Sequence, residues 1–206
     1  MSVPEPPLVG MIASSALAAI LCDPRQPDTP IVACNAPFLA LTGYARAEVL
    51  GRNCRFLQGP ATQPVARQQL REAIAARRPV MVDILNYRKD GSPFRNAVMV
   101  APIFDAAGEL EYFLGSQVAL ADAVGEVLGD GWQISARAAA RRQVDGLSPR
   151  QRNILLEMTA GKLNKQIAWE LGLAERTIKM HRAALLRALG VTSSAEAIRL
   201  AVEAGF

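Results

Sequence analysis

Cysteine is scarce: three residues in 206, at positions 22, 34 and 54. An odd count without CxxC spacing argues against a disulfide framework or a cysteine-based zinc site, and it suits a reducing cytoplasm. Histidine is scarcer still, with His181 alone. With no Walker sequence, no kinase signature and no cluster of metal-ligating residues, little remains to carry turnover, so an enzyme or a metal protein is not expected. Long apolar runs are missing too. The longest near the N-terminus, residues 8–22, is interrupted by Gly10 and lacks a basic leader. It is too short to cross a bilayer and makes a poor signal peptide.

What is present is enough for one large domain or two small ones, since half of the residues are hydrophobic and 20% are charged. The net charge of +4 is unevenly spread. Residues 141–206 hold eleven Lys and Arg against six Asp and Glu, a surplus of +5, whereas residues 1–120 are nearly balanced. A basic C-terminal third is expected of a part that meets a polyanion.

Along the chain, residues 7–14 read as a short flanking helix, and residues 16–21 and 31–34 as strands. Asn35, Pro37 and Phe38 open a helix closed by Gly43. Residues 62–76 have helical composition, with Val65, Leu70 and Ile74 as a partial apolar stripe and Arg67, Arg77 and Arg78 read as solvent-exposed. Residues 80–88 and 93–104 are β-rich and flank the turn signal Lys89-Asp90-Gly91-Ser92. In the last strand, residues 112–120, a period of two puts Phe113, Gly115 and Gln117 on one face and Tyr112, Leu114, Ser116 and Val118 on the other. The second face is apolar enough to need a cover. Residues 121–146 read as a linker interrupted by Gly125 and by Gly129 to Gly131, with a helical stretch at 132–142.

One stretch does not look like core. Gly51-Arg52-Asn53-Cys54-Arg55-Phe56-Leu57-Gln58-Gly59-Pro60 sets a thiol between an amide and a guanidinium, with a second amide four residues on. The run Asn-Cys-Arg-Phe-Leu-Gln resembles the signature of LOV domains, the flavin-binding blue-light sensors of the PAS superfamily. The resemblance implies an α+β PAS fold with an antiparallel sheet over residues 1–120, binding FMN. It also implies that Cys54 forms a reversible bond to flavin carbon C4a in light. Asn53, Cys54, Arg55 and Gln58 would contact the cofactor, and Gln58 would affect the lifetime of that bond. Arg71, seventeen residues beyond Cys54, pairs with Arg55 as a phosphate clamp. Asn86 and Asn96 take the pyrimidine edge, and Gln117 the flavin carbonyl and N5. Setting Asn86 directly opposite Asn96 needs an odd loop centred on Gly91, so a three- or five-residue loop with Gly91 left-handed is expected.

From Leu147 onward the pattern is wholly helical. Ser148 and Pro149 start a helix, Asn164 can cap a second, residues 174–189 form a third, and Ser193 or Ser194 caps a last one to Ala204. Leu147-Ser148-Pro149-Arg150, Asn164-Lys165-Gln166-Ile167-Ala168 and Thr177-Ile178-Lys179-Met180-His181 together resemble the LuxR-type helix-turn-helix, an all-α four-helix domain over 147–206. Gln151 departs from the glutamate common there. Ile178, Leu185 and Leu189 point inward, and Arg176, Lys179, Met180, Ala183 and Arg187 line the outer face. The resemblance sends that face to the major groove of double-stranded DNA. Lys179, Met180 and Ala183 are assigned to bases, and Asn164, Lys165, Thr177 and Arg182 to phosphates or groove edges. His181 is read as structural or phosphate-bonding, and Ala195, Ile198 and Val202 as the dimer stripe.

The combined expectation is a cytoplasmic, light-regulated transcription factor. In darkness its sheet covers the last helix, and in light it forms a homodimer on DNA. Two other readings remain: a flavin redox or ligand sensor, whose light response would survive Cys54→Ala, and a light-gated protein-interaction module without salt-dependent DNA affinity.

Overall fold

The computed structural model describes residues 8–120 and 131–206. The first part runs α1 (Gly10–Ala13), β1 (Ala18–Cys22), β2 (Ile31–Cys34), α2 (Ala36–Thr42) and α3 (Arg46–Val49), then a 3-10 turn (Cys54–Leu57) and α4 (Pro64–Ala75). It ends with β3 (Val80–Tyr87), β4 (Pro93–Phe104) and β5 (Leu110–Ala119). The second part is α5 (Gly131–Asp145), α6 (Pro149–Thr159), α7 (Asn164–Glu170), α8 (Glu175–Leu189) and α9 (Ser194–Ala204). All strand pairs are antiparallel, in the order β2-β1-β5-β4-β3.

Local chemistry accounts for the boundaries. The Asn35 carboxamide oxygen accepts from the N–H of Phe38 at 3.1 Å, capping α2, and from that of Ala19 at 2.9 Å, tying the helix start to β1. Gly43, at φ 76°, takes the left-handed conformation that ends α2. Ser148 and Ser193 cap α6 and α9, and Pro149 sits where a missing N–H costs nothing.

The two faces of the sheet have different fates. Ile20, Cys22 and Phe113 pack inward with Phe38, Val49 and Leu57. The outward Leu21, Met99, Ala101, Ile103 and Leu114 share one buried cluster with Ile154, Leu155, Ile178, Leu185 and Ile198. The apolar outer face is thus covered by the chain's own helices. Polar contacts fix the docking. Arg199 on α9 donates to the carbonyls of Ala97 (3.0 Å) and Ser116 (3.3 Å). Phe104 N–H donates to Gly161 O at 2.9 Å, and Gln166 Nε2 to Asp105 O at 2.5 Å. Ala16 N–H donates to the Glu196 carboxylate at 2.8 Å, and Thr192 Oγ1 to Ser14 O at 2.9 Å.

The Glu196 clasp makes the docking sensitive to acid. Burial pulls its pKa up, but the N–H groups of Thr192 and Ala16 and the hydroxyls of Ser15 and Thr192 outweigh that and hold it below the ordinary glutamate range. A depressed carboxylate contributes in full above its ordinary value and loses that contribution as pH falls through the folded value. Ala16 and Ser15 leave Glu196 on undocking while Thr192 stays, so protons favour undocking through the Ala16 and Ser15 contacts alone. Hydrogen exchange of residues 14–16 should rise below about pH 4.5, and Glu196→Gln should flatten that rise.

Several expectations need correction. Asn86 stands opposite Phe94, and Asn96 opposite Ile84. The loop is odd and Gly91 is left-handed at φ 84°, as expected. The turn is centred on Asp90, however, with Arg88 N–H donating to Ser92 O, so the register slips by two. Equal parity keeps both asparagines on one face. Asn164 is the first residue of α7 rather than its cap; Gln166 accepts from the N–H of Leu163 at 2.7 Å, the true cap position. Val65 does not join an apolar stripe, being 70% exposed, and Ala66 and Ala73 face inward instead. The helical stretch expected at 132–142 lies within α5 (Gly131–Asp145), whereas the glycines at 125 and 129 and the start of the 7–14 segment lie outside the described residues.

Candidate functional site

A cavity of about 600 Å³ lies between the inner face of the sheet, the 3-10 turn and α4. Its floor is Ile20, Ile84, Val98, Val100, Phe113 and Gly115, and Leu70 and Ile74 of α4 form a second apolar side. A Cβ on Gly115 would come within 2.8 Å of Ile20 Cγ1, so glycine keeps the floor flat.

The motif is built onto this cavity by its own amides. Asn53 caps the 3-10 turn by accepting from Arg55 N–H at 3.0 Å, and its Nδ2 donates to Asp28 O at 2.6 Å. That second bond braces a loop in which Asp28 and Thr29 both hold positive φ. Cys54, first residue of the turn, lines the cavity with Gln58. Burial pushes its thiol up to about 11, with the Gln117 amide pulling slightly the other way, so Cys54 is a protonated thiol at neutral pH.

Three amides make the polar edge. Asn96 Nδ2 donates to Asn86 Oδ1 at 2.9 Å and to Gln117 Oε1 at 3.2 Å, and Gln117 Nε2 reaches Cys54 Sγ at 3.5 Å. The chain of contacts thus runs from Asn86 to the thiol. Asn86 and Gln117 line the cavity, whereas Asn96 is fully buried and does not, reaching it only through its bonds to those two amides. The Asn96 Oδ1 is buried with no partner. Such orphans are rare in a relaxed protein, and this one adjoins the two amides that line the cavity.

At the mouth, Arg71 and Arg55 line the cavity; Arg55 also pairs with the Asp28 carboxylate at 2.5 Å, both partners being exposed. Arg67 was not expected here. It too lines the cavity, and its Nε is buried without a partner. One turn separates it from Arg71, so the i, i+4 spacing was the available signal. Three guanidinium groups, a flat apolar slot, amides at the far edge and a thiol at one side fit a planar heterocycle carrying an anionic tail.

On the other part of the chain, Ile178, Leu185 and Leu189 are buried as expected, while Lys179, Met180 and Ala183 are exposed. Thr177 and His181 are partly buried and Lys165 is exposed. Arg182 is engaged internally, donating to Asn164 Oδ1 and, at 2.5 Å, to Ser194 Oγ. Burial lowers its pKa. Ala195 and Ile198 are buried inside this chain, and Val202 is partly buried.

A family profile for PAS domains matches residues 17–118, and one for bacterial regulatory proteins of the luxR family matches residues 145–201. The blue-light-activated histidine kinase 1 of Erythrobacter litoralis (strain HTCC2594) is 58% identical over 110 residues, covering 53% of this chain and 31% of that protein. The blue-light-activated histidine kinase of Rhizobium johnstonii is 54% identical over 99 residues, covering 48% and 29%. The chain therefore spans under a third of the length of these relatives. Among solved structures, the dark structure of the blue-light photoreceptor Aureochrome1 LOV is 36% identical with a TM-score of 0.55, covering 66% of this chain and 98% of that one. The LOV domain of an Erythrobacter litoralis blue-light activated histidine kinase is 39% identical with a TM-score of 0.50, covering 52% and 98%. No described helix is long and apolar enough to cross a membrane. By these likenesses, and with a thiol and amides lining its cavity, the chain belongs to the LOV family of PAS domains, joined to a C-terminal helix-turn-helix domain of the luxR family.

Proposed function

We propose that the chain is a blue-light-responsive DNA-binding regulator that binds FMN. The carrying observation is that one five-stranded sheet has the thiol-bearing cavity on its inner face and the C-terminal helices on its outer face. Bound in the cavity, FMN would supply a light-absorbing ring with an electrophilic carbon for the Cys54 thiol.

The protein's residues do the rest. Arg55, Arg67 and Arg71 hold the phosphate, Asn86 and Asn96 the pyrimidine edge, and Gln117 the carbonyl and N5 side. Asn53 fixes the turn that carries Cys54, and Gln58 flanks it. Cys54 keeps its proton in the dark, ready to give it up with its sulfur. An amide both donates and accepts, so Gln117 can turn when its neighbour's protonation changes and shift the bonding of β5. The shift loosens α9, whose Ala195, Ile198 and Val202 then serve a second copy. Two copies place Lys179, Met180 and Ala183 on bases, with Asn164, Lys165, Thr177 and Arg182 toward phosphates. The domains run as 1–120, 121–146 and 147–206.

The test is an absorption spectrum of FMN-loaded protein before and after blue light, followed by DNA affinity in both states at two salt concentrations. Bleaching and dark recovery with lit-state, salt-dependent binding support the reading; binding that is equal in dark and light overturns it. Arg67 has its own expected outcome. Arg67→Ala should weaken FMN binding about tenfold, the size of one charge-assisted hydrogen bond, and leave riboflavin binding unchanged.

A further inference from the structure

Among the described residues Arg199 is the only lysine or arginine that is buried, at 5% exposure. Its three acceptors are all neutral: Ala97 O, Ser116 O and, at 3.7 Å, Met81 Sδ. No carboxylate hydrogen-bonds it; Glu203, one turn along α9, is the acid whose field reaches it. A cation taken out of water without an ion partner is held only while its hydrogen bonds are well aimed.

The position of those acceptors is informative. Ser116 O belongs to the same planar peptide unit as the N–H of Gln117. Ala97 O belongs to the peptide that begins Val98, and Val98 is the cross-strand partner of Gln117. The guanidinium therefore sits on the outer face directly behind the inter-strand pair whose inner face carries the amide beside Cys54. Of the α9 side chains with hydrogen bonds into the sheet, Arg199 is the one that touches this pair.

Resting on the light-switch reading, we infer that Arg199 makes the docking of α9 conditional on the geometry of the Gln117 strand pair. While both carbonyls point at it, the fork is satisfied and α9 stays down. A small displacement of β5 leaves a buried cation short of acceptors, and the helix is expelled into water. Arg199 acts as a sensor and a spring, where an apolar residue in its place would be a plain adhesive.

The test uses the full FMN-loaded chain, with hydrogen exchange of residues 194–204 as readout and the flavin spectrum as control. Arg199→Met keeps length and bulk without charge. It should slow dark exchange of α9 and cut the light-induced rise at least tenfold, with bleaching and dark recovery unchanged. Arg199→Lys keeps charge but loses the fork, and should raise dark exchange at least tenfold. The dark ordering, Met slowest and Lys fastest with the parent between, is the prediction. Faster dark exchange in Arg199→Met would make Arg199 a simple latch and overturn it, as would a light-induced rise in that variant equal to the parent's. A parent that bleaches without any change at α9 would sink the light-switch reading instead, and the dark ordering would still decide the role of Arg199.

Discussion

Cys54→Ala should yield a protein that still binds FMN but no longer bleaches under blue light, with light-dependent DNA binding lost altogether. The mutation removes one sulfur from a cavity of about 600 Å³ whose other walls are unchanged, so cofactor affinity should stay within about threefold of the parent, under 1 kcal/mol. The parent has a matching pH signature. With its thiol pushed up to about 11, Cys54 stays protonated between about pH 6 and about pH 9, and the extent of bleaching should be flat across that range. Yield climbing with pH would mean that the thiolate is the reactive form. A light response surviving in Cys54→Ala would favour the redox-sensor reading.

The second large effect is expected at Leu114, which is fully buried in the cluster joining the outer face of the sheet to α6, α8 and α9. Leu114→Glu places a carboxylate among the apolar side chains there, at several kcal/mol in the docked form. Once the helices leave, the same carboxylate faces water on the open face of the sheet. Moving a two-state equilibrium from 1:99 to 99:1 takes about 5.5 kcal/mol, so the variant should bind DNA in darkness about as well as the lit parent. Its flavin spectrum and photocycle should be preserved, because Leu114 points away from the cavity. A variant that bleaches normally yet still needs light to bind DNA would show that this face does not hold the regulator shut. The same arithmetic bears on the parent, in which a rearranged hydrogen bond is worth only about 0.5–1.5 kcal/mol net. On the proposed reading, light can tip only a docked state of small margin, with gains from dimer and DNA contacts completing the switch.

Much of this is legible in the sequence. The alternation over residues 112–118 separated the cavity face from the docking face, because a strand has only two sides. Asn35, Gly43, Ser148 and Ser193 announced their helix ends through capping chemistry. The register of Asn86 and Asn96 was only half legible. Parity followed from an odd loop, but the centre of the turn depended on whether Asp90 or Gly91 took the middle place. Arg67 was missed because arginines on an amphipathic helix look alike unless their turn-by-turn neighbours are compared. Asn164 and Arg182 both suit phosphates or groove edges by residue type, yet here they hold each other. Arg199 was invisible for a different reason: its acceptors, at 97 and 116, lie in another domain.

The largely apolar outer core has one more consequence, which concerns temperature. Undocking α9 exposes Leu21, Met99, Ala101 and Leu114 together with Ile198, so it carries a positive heat-capacity change, and the drive to bury these groups fades on cooling. The docked form is therefore most secure at some intermediate temperature and loosens on either side. On the proposed reading, the sheet face that answers to light would let more of the regulator escape in the cold, so its dark signal would carry a thermal reading as well as a leak.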